Sequence, residues 1–184
     1  MSAMKVIAIA GSLRQQSFNQ GLVRAAVDCA PKGMDIEIVD ISSIPLYNGD
    51  VDNDKERPAE VLALAEKLQK ADALLIATPE YNYSVPGVLK NTLDWLSRVP
   101  DKVFAGKPTA IMGASMGGMG SSRSQYHLRQ ILVGLDAYLL NKPEVFVSSA
   151  HEKCDEQGNL TDDKTKSLIA DQLVALQAWS AHFS

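Results

Sequence analysis

The chain is poor in the features that would give its chemistry away. Of its 184 residues only two are cysteine, Cys29 and Cys154, and they stand far apart. That spacing builds neither a disulfide framework nor a metal knuckle. The three histidines, His127, His151 and His182, have no metal-ligand spacing and no H-E-x-x-H motif, so no metal ligands are assigned. No apolar run approaches the roughly 18 residues of a membrane span. The opening Met1-Ser2-Ala3-Met4-Lys5 leads into a run too short for a secretory signal, with no A-x-A site after it. A cytoplasmic protein without membrane insertion is expected. A formal net charge of −4 supplies no broad basic face for nucleic acid. Internal repeats, low-complexity tracts and linkers are absent, and the length suits one domain over 1–184.

What is present is an alternation of apolar strands and amphipathic helices. Apolar residues make up 46% and charged residues 22%, as in an ordinary globular protein. Strands are predicted at Lys5–Ala10, Asp35–Val39, Ala73–Ala77, Thr109–Ala114 and, more weakly patterned, Val145–Val147. The first, third and fourth are nearly continuous apolar runs, the mark of strands buried on both faces of a parallel sheet. Helices are predicted over Ser17–Ala30, Pro58–Lys70, Pro86–Arg98, Ser121–Leu135 and Thr161–Phe183, with Thr161 as the cap of the last. Asn48–Arg57 reads as a solvated loop, and Trp95 and Trp179 as packing residues within helices. Repeated strand–helix units predict right-handed crossovers and a doubly wound α/β sheet. Ligands bind such sheets at the carboxyl ends of the strands.

Three loops fall at that end. The first, GSLRQQSFN over 11–19, has neither the Gly-Lys-Ser/Thr of a Walker loop nor the extra glycines of a dinucleotide turn. It does have Ser12, Ser17, Asn19 and Arg14 around a helix N-terminus, where free N–H groups and the dipole favour an anion. No carboxylate lies in it to hold a metal, so a phosphate bound without magnesium suits it; simple capping by Ser17 is the plainer alternative. It also lacks the cysteine that a thiol-dependent phosphatase would need. The second loop, PEYNYSVPG over 79–87, sets Tyr81, Asn82 and Tyr83 between Pro79 and Pro86. A stiff aromatic loop can cover the edge of a planar heterocycle or pack against another subunit. The third, GASMGGMGSSR over 113–123, brings Ser115 and the glycines 117, 118 and 120 beside a flat ligand. Its first five residues also fit G-x-S-x-G, which would make Ser115 a hydrolase nucleophile with Asp136 and His151 as partners.

Taken together, GSLR with Ser17 and Asn19, PLYN at 45–48, TPEYNYSVPGVLKNTLDW at 78–95 and the glycine loop at 113–120 resemble the NADPH-dependent FMN reductase family, nearest its quinone/chromate reductase branch. The likeness spans nearly the whole chain. It implies a flavodoxin-like doubly wound five-stranded parallel sheet of order 2-1-3-4-5 with helices on both faces. It implies bound FMN, with Ser12, Arg14, Ser17 and Asn19 on the phosphate. Pro79, Glu80, Tyr81, Asn82 and Tyr83 would lie along the isoalloxazine loop, and Ser115, Gly117 and Gly118 by the ribityl chain and ring. NADPH or NADH is the implied donor, and quinones and metal oxyanions such as chromate the acceptors, reduced by ping-pong hydride transfer. The flavin carries that chemistry, so no catalytic side chain is assigned. Family members form homodimers or homotetramers with flavins near the interfaces, which suits the tyrosines and the polar set Arg123, Tyr126 and Glu144. A flavodoxin-like electron carrier without NAD(P)H activity and a Ser115 hydrolase are the competing functions.

Overall fold

The computed structural model describes residues 3–183. Its elements run β1 (Met4–Ala10), α1 (Phe18–Asp28), β2 (Met34–Val39), α2 (Ala59–Lys70), β3 (Ala73–Ala77) and α3 (Gly87–Leu96). They continue with β4 (Pro108–Ala114), α4 (Ser122–Gly134), β5 (Tyr138–Leu139), β6 (Val145–Val147), α5 (Ala150–Lys153) and α6 (Asp163–Ser180). All strand pairs are parallel, in the order β2-β1-β3-β4. This is the flavodoxin-like arrangement.

The fifth position of the sheet is shared. β5 pairs with Pro108 and Thr109 at the start of β4, whereas β6 pairs with Met112 to Ala114 at its end. Only the second piece, Val145–Val147, is expected from the sequence, since a two-residue strand leaves no periodicity to read. Between the two pieces the β4 carbonyls still need partners. Buried Gln172 of α6 supplies one, its Nε2 donating to Ile111 O (3.0 Å) and to Pro143 O (2.9 Å).

Strand periodicity divides the core between two faces. Ile7, Ile9, Leu74, Ile76 and Ile111 point to the side covered by α2, α3 and α4, where they meet Leu64, Leu68, Leu89, Leu93, Leu128 and Leu132. Their alternates Ala8, Ala10, Leu75, Ala77, Ala110 and Met112 face α1 and α6, through Leu22, Val23, Ala26, Ile169, Leu173 and Leu176. Trp95 is fully buried; Trp179 is half-buried against the α1/α6 core, its Nε1 donating to Tyr138 O.

Two expectations are corrected. The cap of α6 is Asp162, not Thr161: the Asp162 carboxylate accepts from Thr165 N at 2.8 Å, while Thr161 spends its hydroxyl on Lys153 O. A carboxylate at this position also meets the positive end of the dipole. Asn48–Arg57 is not a freely solvated loop. It holds a short 3-10 turn at Gly49–Val51 and a nearly buried Arg57–Asp52 ion pair at 2.7 Å.

At the carboxyl edge the ladder carries on one step into each loop. Gly11 N donates to Ala77 O, Thr78 N to Met112 O and Ser115 N to Val147 O. The three ligand loops therefore leave the sheet abreast. Among the described residues no helix is long and apolar enough to cross a membrane.

Candidate active site

The three loops surround one cavity of about 440 Å³. Ser12, Arg14, Ser17, Asn19, Pro79, Glu80, Tyr81, Ser115, Gly117 and Gly118 all line it, while Asn82 and Tyr83 do not. Phe18, Ala114, Met116, Met119 and Arg123 complete the wall. The two methionines are legible in the third loop once its glycines are taken as wall. Arg123 reaches the cavity through a contact 43 residues apart in sequence.

The first loop forms a cup. Ser17 caps α1 by accepting from Asn19 N at 3.2 Å. The N–H groups of Phe18 and Gln20, also in the first turn, have no partner among the described residues. Such donors, with the helix dipole behind them, attract an anion. Ser12 is buried, with its Oγ 3.3 Å from Tyr81 Oη, so the first two loops touch at the cup's edge. Arg14 stands exposed on the rim, its Nη2 donating to Gln16 O and its guanidinium 5.5 Å from the Phe18 ring centre. Asn19 is differently occupied. Its amide donates to Ala114 O and accepts from Ala114 N, both at 3.0 Å, which bolts the start of α1 to the end of β4.

The second loop is a tight turn. Tyr81 and Ser84 exchange both backbone hydrogen bonds, at 3.1 and 3.0 Å. Asn82 (φ 49°) and Tyr83 (φ 69°) between them both have positive φ, the signature of a type I′ turn. Asparagine tolerates that region; a tyrosine there is strained. The ring is held in place from outside the turn: the Arg123 guanidinium lies 3.7 Å above its centre. Arg123 is fixed in turn by Glu80, whose Oε1 accepts from Arg123 Nε at 2.6 Å while Oε2 accepts from Arg123 N at 3.1 Å. The Glu80 carboxylate thus caps α4 from another loop, at the end where the dipole favours it. His127 is exposed and its Nδ1 lies 3.0 Å from Ser84 Oγ.

The third loop meets a dense polar layer. Buried Thr78, Ser121, Ser124 and Gln125 lie beneath it. Thr78 Oγ1 is 3.1 Å from Ser124 Oγ, and Gln125 Nε2 donates to Val145 O and Ser121 Oγ. Gly113 has no room for a side chain, because a Cβ would come within 2.2 Å of Thr78 O.

A hydrolase triad does not assemble. Ser115 follows the carboxyl end of β4, whereas Asp136 sits at the other end, its carbonyl accepting from Gly106 N just before β4 begins. The seven-residue strand between them spans roughly 20 Å. The Ser115 hydroxyl donates to Gly117 O instead. Among the described residues no cluster of three or more His, Cys, Asp or Glu could hold a metal.

Comparison with known proteins decides the family. The NADPH-dependent FMN reductase family matches residues 4–152. This chain belongs to it. An NAD(P)H-dependent FMN reductase of Pseudomonas aeruginosa is 56% identical over 176 residues, covering 96% of this chain and 95% of the relative. A quinone reductase of Escherichia coli is 48% identical over 174 residues, covering 94% and 93%. Among solved structures, a flavoenzyme NAD(P)H:(acceptor) oxidoreductase of Paracoccus denitrificans superposes with a TM-score of 0.87 at 31% identity, covering 98% of this chain and 99% of that one. As a member of the FMN reductase family the chain is an oxidoreductase that works with FMN and a reduced nicotinamide.

The cavity suits FMN by the chemistry of its donors. One end offers hydroxyls, free N–H groups and an arginine with no carboxylate in the loop, a set matched to a terminal phosphate. The second and third loops add proline and tyrosine surface beside two glycines, matched to a flat ring system.

Proposed function

We propose that the chain is an FMN-dependent NAD(P)H:quinone oxidoreductase that also reduces small oxyanions such as chromate. The observation that carries this reading is a single cavity lined both by the anion cup of the first loop and by apolar and glycine residues of the other two loops. In this reading Ser12, Ser17, Arg14 and the first N–H groups of α1 hold the phosphate. Asn19 serves the same cup indirectly, by fixing where α1 starts relative to β4. Pro79 and Tyr81 border the ring, and Asn82 serves it indirectly, through the turn that presents Tyr81. Tyr83 and Glu80 act through Arg123, which keeps that loop against α4. Ser115, Gly117 and Gly118 flank the ribityl chain and the ring.

Bound FMN supplies the hydride chemistry that passes reducing equivalents from the nicotinamide to the acceptor. The chain's own task is to orient the two partners and shield the slot. Donor and acceptor would use the same open slot in turn, a ping-pong order, and no side chain need act as acid or base. The whole of 1–184 would be one cytoplasmic FMN-binding domain assembling as a homodimer or homotetramer. The exposed Tyr83 and the Tyr126–Glu144 hydrogen bond at 2.8 Å are its candidate contacts.

The test begins with flavin uptake. Titration of the flavin-free protein is expected to give FMN binding about a hundredfold tighter than riboflavin, which lacks the phosphate. NADPH oxidation with a benzoquinone should then follow parallel-line kinetics as both concentrations vary. FMN bound without turnover above that of free FMN would leave an electron carrier and sink the reductase reading. Equal affinity for riboflavin and FMN would remove the phosphate cup from it.

A further inference from the structure

The described residues contain sulfur in two very different settings. Cys29 and Cys154 are partly buried away from the cavity, and burial raises both thiols, Cys154 to about 11. Thiols held protonated react slowly with oxidants, because the thiolate is the reactive form. Met4, Met34 and Met112 pack against or within the core. Met116 and Met119 are the opposite case. They are 64% and 52% exposed, three residues apart on the third loop, and both line the cavity. A thioether needs no deprotonation to be oxidised, so exposure alone governs its reactivity.

The stretch between them leaves open space where side chains would stand. A Cβ on Gly118 would touch nothing within 4 Å, and one on Gly117 only Ser115 Oγ at 4.0 Å. Its internal ties include Ser115 Oγ to Gly117 O at 3.3 Å, Gly120 N to Gly117 O at a long 3.4 Å, and Ser122 N to Met119 O. Two unbranched, polarisable side chains on such a loop can settle against planar rings of different outline.

We propose that Met116 and Met119 form a soft apolar wall for planar aromatic acceptors, and that hydrogen peroxide disables the wall by converting both to methionine sulfoxide. The inference rests on the reading of this cavity as the flavin and acceptor site. In the step itself the thioether sulfur takes one oxygen from peroxide and the O–O bond breaks. The other oxygen leaves as water; sulfur loses two electrons and peroxide gains them. The product is a polar S=O in place of an apolar contact, and burying it against a quinone ring costs affinity without touching the phosphate cup.

The experiment treats the FMN-loaded enzyme with dilute hydrogen peroxide and maps its peptides by mass. One oxygen is expected on each of Met116 and Met119, at least about tenfold faster than on Met34 or Met112. The KM for a benzoquinone should rise about fivefold to tenfold with little change in kcat. Methionine sulfoxide reductases acting on both epimers should restore it. The double variant Met116→Leu/Met119→Leu, judged against its own untreated KM, should show no peroxide-dependent change. Sulfoxides that form evenly over all methionines, a KM that ignores them, or a peroxide effect that persists in the double variant would each overturn the proposal. Mapping requires no turnover, so its failure is separable from failure of the flavin reading, which the FMN titration reports.

Discussion

The two ends of the sheet are finished in opposite ways. At the amino end the strands are tied off. Lys5 N donates to the Asp72 carboxylate and Asp72 N to Lys5 O; Lys107 Nζ reaches Ala71 O and Gly106 N reaches Asp136 O. At the carboxyl end the N–H groups of Phe18 and Gln20 have no partner among the described residues, and Tyr81, Met116 and Met119 expose apolar surface. Both ends belong to the same strands, so the contrast is not one of core packing. It separates backbone satisfied for stability from backbone left available to a ligand. Lesions at the amino end should appear in unfolding, and lesions in the cup or slot should appear in flavin binding.

The largest effect breaks that division deliberately. Gly113 lies at the carboxyl end but beneath the loops, where a Cβ would meet Ser121 Oγ at 2.1 Å and Thr78 O at 2.2 Å. Gly113→Ala is expected to destabilise the flavin-free protein by about 3 kcal/mol, since backbone rather than a flexible tip must move. Urea unfolding measures it. A loss under about 1 kcal/mol would mean the loops rearrange freely over the strand ends, against the rigidity assigned to them.

Arg14→Ala comes next and keeps to the division. The side chain is on the rim and its one protein hydrogen bond is to a neighbouring carbonyl, so its removal should leave the unfolding of the flavin-free protein unchanged. FMN affinity should fall about tenfold, with riboflavin affinity unaffected, because a charge-assisted phosphate contact is lost. Fluorescence titration at low and high salt gives both values. An equal loss for riboflavin would assign Arg14 to the ring end of the cavity.

The contrast between the ends also marks how far sequence reasoning reaches. Strand Ala73–Ala77 and the piece Val145–Val147 are readable to the residue because apolar runs and their period are local properties. Ten of the lining positions are readable too, since strand ends declare where ligand loops start. What the side chains do there is not local. Asn19 turns to Ala114 and Glu80 to Arg123, contacts 95 and 43 residues apart, and no motif announces a partner at that distance. The type I′ turn is hidden because tyrosine is a poor residue for positive φ, so Tyr83 conceals the geometry that an Asn-Gly pair would have signalled. Tyr138–Leu139 is too short to carry a period, and its gap is closed by Gln172 from a helix far along the chain.

The smallest predicted effect probes the amino end alone. Lys107 is half-buried there, and desolvation lowers its ammonium pKa below the ordinary 10.5 despite the nearby Asp72. Below the folded value the ammonium is protonated in both states and contributes no pH dependence. Between the folded value and 10.5 the unfolded chain holds the proton more tightly, so unfolding takes one up and stability rises with pH. Lys107→Met removes this titration together with the hydrogen bond to Ala71 O, and these losses oppose the gain from no longer burying a charge. The net change at neutral pH is expected to lie within about 1 kcal/mol. Unfolding of the variant as the pH is raised toward 10.5 should lack the alkaline gain of the parent, while FMN affinity is unchanged. A shift in FMN affinity would show that the two ends of the sheet are coupled, contrary to the division drawn from their hydrogen bonds.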